Sequence, residues 1–206
     1  MCNLYRALPS ASEVIRLFNP GLVADRTGNA PWPEDVYPDR LAPIIRQGEG
    51  TLEVALSRWG MPSPASVLKT ERDPGVTNIR NTRSPHWRRW LDGPHRCLVP
   101  FAAFSEPGPD RKPIWFELDN GQPAFMAGIC IRDWTSTRKV KDGPTTDDLF
   151  GFLTTTPNTE VGAIHPKAMP VILTNPTDWL LWMSAPWKDA AALQRPLPDG
   201  LLRVQS

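Results

Sequence analysis

The sequence predicts an α+β fold: a single domain over residues 1–206, built on a curved, mostly antiparallel β-sheet or open barrel with short flanking helices. Three observations point there. Strand-like apolar runs crowd the middle of the chain between Gly, Pro and Asp clusters. Helix-start signals are confined to the two ends and one insertion. The 24 prolines and nine tryptophans among 206 residues favour many short elements joined by stiff turns.

The elements follow in order. In SASEVIRLF (10–18), Ser10 stands three residues before Glu13, the spacing of a capping box, and Val14, Ile15 and Phe18 share one side, which predicts a short helix. Residues 19–50 carry Pro20, Pro31, Pro33, Pro38 and Pro43, which disfavour helix interiors and central strands, so an ordered irregular loop is expected over the core. LEVALSRWGM (52–61), RCLVPFAAF, PIWFEL, PAFMAGICI and LFGFLTTT each predict a strand. Between them SPHWRRWLDG has Ser84 as a cap, Pro85 at the first helical position and Gly93 past the end. NPTDWLLWM repeats that pattern from Asn175, and SAPWKDAAAL does so from Ser184 or Ala185.

Composition bounds the function. A hydrophobic share of 40% supports a substantial core. No apolar run approaches the roughly 18 residues of a membrane helix, and Glu13, Arg16 and Asn19 interrupt the first apolar positions, so no signal peptide and a cytoplasmic location are expected. Three cysteines, Cys2, Cys97 and Cys130, suggest neither a disulfide framework nor a metal site, and no cofactor is expected. The net charge of +1 gives no argument from bulk electrostatics for a nucleic-acid or lipid partner.

Five stretches carry groups with chemistry. Cys2 lies directly behind Met1; once Met1 is trimmed it presents a free α-amine beside its thiol, a 1,2-aminothiol that no internal cysteine offers. Its other reading is an ordinary small buried residue. In TNIRNTRS (77–84), Asn78 and Arg80 are two apart and share one side of an extended segment, and Arg80 has the donor fork that suits phosphate; a polar surface loop is the alternative. RCLVPFAAFSEP ends in Glu106, either at the rim of the core, where desolvation raises a carboxylate toward useful proton transfer, or on a solvated turn. His165, in AIHPKAMPVIL, lies between a polar stretch and a strand-like one, with the cation of Lys167 two residues on. His86 and His95 flank the tryptophan-rich helix and are expected to be structural or exposed. Trp59, in SRWGMP, either packs in the core or leaves a face open for a base to stack on.

Together, Cys2 behind Met1, RWGMP, NIR, RCLVPFAAFSE, FGFLTTTPN and HPKAMPVIL, in this order, resemble the SRAP family, the SOS response-associated peptidases or abasic-site processing proteins. The motifs span residues 1–173, and DWL (178–180) is also similar. The resemblance implies a protein that binds single-stranded DNA containing an abasic site and links itself to it covalently. It assigns Cys2 as nucleophile, Asn78 and Glu106 as groups that position and deprotonate, and His165 as acid/base at the sugar. It implies Arg80 as phosphate ligand, Trp59 as a stacking or packing residue, and Lys167, Arg6 and Thr155 as further DNA contacts. Replication or repair proteins are conceivable additional partners.

This chain departs from the family pattern in places. Asn3 and Leu4 stand where Gly and Arg are usual, with Arg6 as the candidate replacement for the basic contact. Thr82 stands in place of a glutamate, Pro107 in place of the tryptophan after Glu106, and HPKAMP in place of a shorter HxRMP.

The chemistry explains the need for a terminal cysteine. An abasic deoxyribose opens to an aldehyde, the Cys2 amine condenses with it to an imine, and the Cys2 sulfur attacks the same carbon to close a five-membered thiazolidine. Holding both nucleophiles over one carbon makes the closure intramolecular. Phosphate contacts position the strand without reading it, so little sequence preference is expected. Strand cleavage through the imine by β-elimination is expected as a minor lyase activity. The rival reading is an N-terminal-cysteine peptidase or amidase, of which self-removal of Met1 is a limited version.

Overall fold

The protein is described here by a computed structural model over residues 2–18 and 21–205. The expectations attached to Met1 and Pro20 lie outside the described residues. In chain order the elements are β1 (Tyr5–Arg6), α1 (Ala11–Arg16), β2 (Val23–Asp25), β3 (Asp35–Val36), β4 (Leu41–Gln47), β5 (Leu52–Trp59) and β6 (Asn78–Ile79). There follow α2 (Pro85–Arg88), β7 (Arg96–Phe101), β8 (Ala103–Pro107), β9 (Pro113–Leu118), β10 (Ala124–Lys139) and β11 (Gly143–Thr155). The last are α3 (Thr159–Gly162), β12 (Met169–Pro170), β13 (Ile172–Leu173), α4 (Pro176–Ser184), α5 (Trp187–Ala190) and β14 (Leu202–Gln205).

β11, β10, β7, β4 and β5 lie side by side in that order, each antiparallel to the next. A parallel pairing of Leu149 with Arg58 and Phe150 with Trp59 joins β11 back to β5. The predicted curved sheet is thus present as a five-strand barrel, closed at one parallel seam, and closure removes the sticky edges an open sheet would carry. A separate antiparallel sheet runs in the order β14, β9, β8, β1, β3.

Side chains alternate along the barrel strands and so feed two cores. On β10, Phe125, Ala127 and Ile129 join Val14 of α1, Phe18 just past its end, and Trp179 and Trp182 of α4, whereas Ala124, Met126 and Cys130 join Tyr5, Phe104 and Phe116 of the second sheet. The helices begin where their caps say. The Ser10 hydroxyl accepts from the Glu13 amide at 3.3 Å, and the Asn175 side chain accepts from the Asp178 amide at 2.9 Å.

Other expectations require correction. The stretch 19–50, expected to be an ordered irregular loop, supplies β2, β3 and β4 between residues 23 and 47. Pro43 is tolerated inside β4 because it pairs with Leu56 of β5 while the β7 register is carried by Ile45 and Arg46, so its missing N–H breaks no ladder bond to β7. The Ser84 side chain makes no capping bond, and α2 stops at Arg88, with Gly93 opening a 3-10 turn instead of closing a helix. The C-terminal helix α5 starts at Trp187, two residues after Ala185, because Pro186 serves as its N-cap. No helix among the described residues is long and apolar enough to cross a membrane.

Candidate active site

Three distant stretches converge on Cys2. The thiol is 1% exposed, and Sγ donates to the Leu4 carbonyl at 3.4 Å. The Cys2 carbonyl accepts from Nδ2 of Asn78 at 2.8 Å. Burial pushes the thiol up to about 12, and the nearby Glu106 carboxylate adds to that rise. The Cys2 nitrogen is tied in an amide to Met1 in this sequence, so the free aminothiol belongs to a processed chain.

Asn78 is placed by the barrel itself. β6 runs parallel to β11, with Asn78 opposite Phe152 and Ile79 opposite Leu153. Just before it, the Thr77 carbonyl accepts from the Trp59 indole Nε1 at 3.1 Å. Trp59 is fully buried, stacked on Phe150 and Phe152 with Tyr5 against it edge-on. The expectation of an open Trp59 face for base stacking is therefore corrected: its ring is used up in the core, and its contribution to the site is to hold the strand that carries Asn78.

Glu106 reaches the same place from β8. Strand alternation sends Phe104 and Glu106 inward, both at 1% exposure or less, so the rim-of-core reading holds and the solvated-turn reading does not. Burial raises the Glu106 carboxyl above its ordinary value of 4.5. His165 arrives on the turn after α3, whose first amides are capped by Asn158 accepting from Val161 N at 3.1 Å. Its amide bonds back to the Val161 carbonyl at 2.7 Å, and its Nδ1 lies 3.8 Å from Oε2 of Glu106. Burial, with Lys167 adding to it, lowers the His165 imidazolium below 6.5. At neutral pH the arrangement is a neutral thiol, a carboxyl poised closer to neutrality than usual and a neutral imidazole. That set can pass protons without holding a strong fixed charge.

The candidate DNA contacts separate into two groups. Arg80 lies beyond the end of β6 on the surface, so it does not share the buried side of Asn78 as the spacing predicts. Its Nη1 donates to the Lys167 carbonyl at 3.4 Å, and Thr155 pairs with Met169 next to it. Arg80, Lys167 and Thr155 therefore gather on one flank of the site, with Arg83 exposed beside them. Arg6 does not join them: it pairs with Asp35 at 3.5 Å and sits 4.5 Å from the Trp115 ring centroid, out on the second sheet.

Gln194 is the residue that sequence reasoning passed over. Its Nε2 donates to the Arg80 carbonyl at 2.9 Å and to the Thr154 carbonyl at 3.0 Å, and its Oε1 accepts from Thr82 Oγ1 at 2.8 Å. One amide from the C-terminal segment thus fastens the loop that carries Arg80 to the end of β11. The signal for it is faint, a lone glutamine after AAAL, because nothing in its own stretch announces its partners. The histidines set aside as structural are anchored locally, His86 Nε2 to the Pro62 carbonyl at 2.8 Å and His95 Nδ1 to the Cys130 carbonyl at 3.2 Å. Among the described residues no cluster of three metal-ligating side chains occurs.

Solved structures share this architecture. A protein from Bordetella bronchiseptica is 22% identical, with a TM-score of 0.74 over 98% of this chain and 98% of its own. A protein from Bacteroides thetaiotaomicron is 20% identical, with a TM-score of 0.75 over 98% of this chain and 90% of its own. A phage-related protein from Bordetella bronchiseptica is 18% identical, with a TM-score of 0.69 over 99% of this chain and 93% of its own. At those identities the likeness establishes the fold. No curated protein matches the chain. The family model described as SOS response associated peptidase matches residues 1–205, and with nearly the whole sequence accounted for, the chain belongs to the SRAP family, which is associated with the SOS response to DNA damage.

Proposed function

We propose that the protein, once Met1 has been removed, captures abasic sites in single-stranded DNA by forming a thiazolidine between Cys2 and the sugar aldehyde. The observation that supports this most is the convergence on Cys2 of an amide donor, a buried carboxyl and a neutral imidazole from three separate parts of the chain. A cysteine kept merely for packing has no need of such company.

In this reading Asn78 fixes the Cys2 carbonyl, and with it the direction in which the terminal amine and the thiol project. The neutral amine adds to the aldehyde carbon and one water leaves as the imine forms. The thiol, too weak an acid at about 12 to ionise unaided, passes its proton to Glu106 as the sulfur bonds to the same carbon. The imine nitrogen takes up a proton in return, so the adduct weighs protein plus DNA less one water. His165, beside Glu106, supplies and recovers the proton that opens the closed sugar. An intact nucleotide has no aldehyde and is not captured. Arg80, Lys167 and Thr155 hold phosphates on the flank of the site.

The test mixes Met1-free protein with a single-stranded oligonucleotide bearing one abasic site and weighs the product under denaturing conditions. The sum less one water, absent for Cys2→Ala, supports the reading. Peptide turnover without an adduct favours an N-terminal-cysteine amidase, and predominant nicking of the DNA favours a lyase.

A further inference from the structure

Beyond the barrel, β10 and β11 run on as a two-stranded arm. The pairing of β10 with β7 stops at Ile129 opposite Arg96, whereas its pairing with β11 continues to Lys139 opposite Gly143. The arm lies against the segment that joins β5 to β6: Asp73 N donates to the Thr137 carbonyl at 2.9 Å, and Arg72 Nε donates to the Arg138 carbonyl at 3.2 Å. Two register shifts interrupt the arm, one between Ile131 and Trp134 and one between Ser136 and Lys139. Shifts of this kind bend a strand and re-aim the side chain at the bulge. The second of them contains Arg138, which is only 6% exposed.

The Arg138 guanidinium closes that segment on itself. Its Nη2 donates to the carbonyl of Gly60, just after β5, at 2.5 Å, and its Nη1 to the carbonyl of Asp73, near the segment's other end, at 3.4 Å. Gly60 and Gly75 leave room for it. Both have a positive φ, 150° and 77°, and a Cβ added to Gly75 would lie 2.1 Å from Nη1 and 3.0 Å from the Gly60 Cα. Inside the closed loop Met61 N donates to the Val76 carbonyl at 2.9 Å and Val76 N to the Met61 carbonyl at 2.7 Å. The Asp73 carboxylate accepts from the amides of Ser63 at 3.1 Å and Gly75 at 2.8 Å. Val76 is followed by Thr77, whose Oγ1 accepts from Nδ2 of Asn78 at 2.9 Å, the same nitrogen that donates to the Cys2 carbonyl.

From this arrangement we infer that Arg138 is a positioning residue of the proposed reaction: by clasping the 60–77 segment from the arm, it fixes Asn78 against the Cys2 carbonyl. The inference rests on the proposed capture of abasic DNA and adds a residue that touches neither DNA nor Cys2. The need for a clasp follows from the length of β6. Only Asn78 and Ile79 pair with β11, and a ladder of two residues holds its register weakly, so the segment leading into it decides where the Asn78 amide sits. A planar guanidinium suits the task, because its fixed fork of donors holds two carbonyls at a set separation.

The experiment uses Met1-free protein and a single-stranded oligonucleotide bearing one abasic site. Adduct formation is followed across DNA concentrations for wild type, Arg138→Ala, Gly75→Ala, Asn78→Ala and the double variant carrying Arg138→Ala with Asn78→Ala, and a urea transition reports whether each is folded. Arg138→Ala is expected to lower the maximal rate roughly tenfold, the scale of a reacting group held out of place, with the half-saturating DNA concentration unchanged. Gly75→Ala keeps the guanidinium but pushes it from its seat, and is expected to do the same. On the Asn78→Ala background the Arg138 change should cost about twofold or less, because the group it positions is already gone. No slowing, equal slowing on both backgrounds, or an effect confined to the half-saturating concentration overturns the inference and leaves abasic capture standing. So does loss of the folded state in both Arg138→Ala and Gly75→Ala, since the clasp then serves the fold alone. A wild type that forms no adduct overturns both readings.

Discussion

The side-chain amide of Asn78 donates to the carbonyl of Cys2 at 2.8 Å, bridging residues 76 apart in sequence. This bond orients the residue that carries the proposed chemistry, and its own net worth to stability is only about 1 kcal/mol. Asn78→Ala should therefore cost little in unfolding free energy but lower the rate of adduct formation at least about tenfold. Asn78→Asp should be worse than Ala, because it sets a carboxylate oxygen against the Cys2 carbonyl. Denaturant titration and adduct kinetics on the same preparations check both.

Glu106 and His165 give opposite pH trends in stability. The folded Glu106 carboxyl holds its proton above 4.5, so its stabilising contribution is full below 4.5 and is lost as pH rises through the raised folded value. The folded His165 has a lowered value, so its contribution is present above 6.5 and is lost as pH falls through that lower value. Glu106→Gln should melt higher than wild type at pH 7 to 8, by a few degrees, with the difference vanishing at pH 4. The same variant should lose the acidic limb of the rate–pH profile that the Glu106 carboxylate sets.

Trp59 separates packing from DNA contact. With its ring fully buried between Phe150, Phe152 and Tyr5, Trp59→Ala should cost about 3–5 kcal/mol. Trp59→Phe keeps an aromatic but drops the bond to the Thr77 carbonyl. It should remain folded and bind undamaged single strands with wild-type affinity, while forming adduct more slowly because Asn78 is less well fixed. Fluorescence anisotropy against adduct rate distinguishes the two effects.

Gln194 is expected to act through Arg80. Removing its three bonds in Gln194→Ala should cost about 1–2 kcal/mol and weaken capture several-fold at low DNA concentration, with recovery at saturating DNA. Gln194→Glu keeps the acceptor for Thr82 and loses both donors, so it should resemble Ala in capture. Comparing the two rate regimes across these variants gives the check.

How legible all this is from sequence depends on what each residue needs. The long strands from Leu52 to Thr155 announce themselves by apolar runs between turn residues, and α1 and α4 by caps that form the bonds their spacing implies, whereas the short β6, β12 and β14 carry no such signal. β4 hides behind Pro43, because a proline rule for central strands does not see that the register to β7 begins two residues later. Cys2 and the three residues around it, Asn78, Glu106 and His165, are legible through motif resemblance and chemistry. Their convergence depends on β6 docking beside β11, on β8 of the second sheet and on the turn after α3, which no local pattern encodes. The surroundings of Arg6 and Trp59 are likewise hidden, because they are set by partners far away in sequence: Asp35 and Trp115 for the first, Phe150 and Phe152 for the second.

The parallel docking of residues 78–79 beside 152–153 has a consequence for the timing of synthesis. Until residues 152–153 have left the ribosome, β6 has no strand to dock against and Asn78 has no fixed place beside Cys2. The groups gathered around it come from positions 78, 106 and 165, so in the proposed mechanism the site is complete only after translation has passed the last of them.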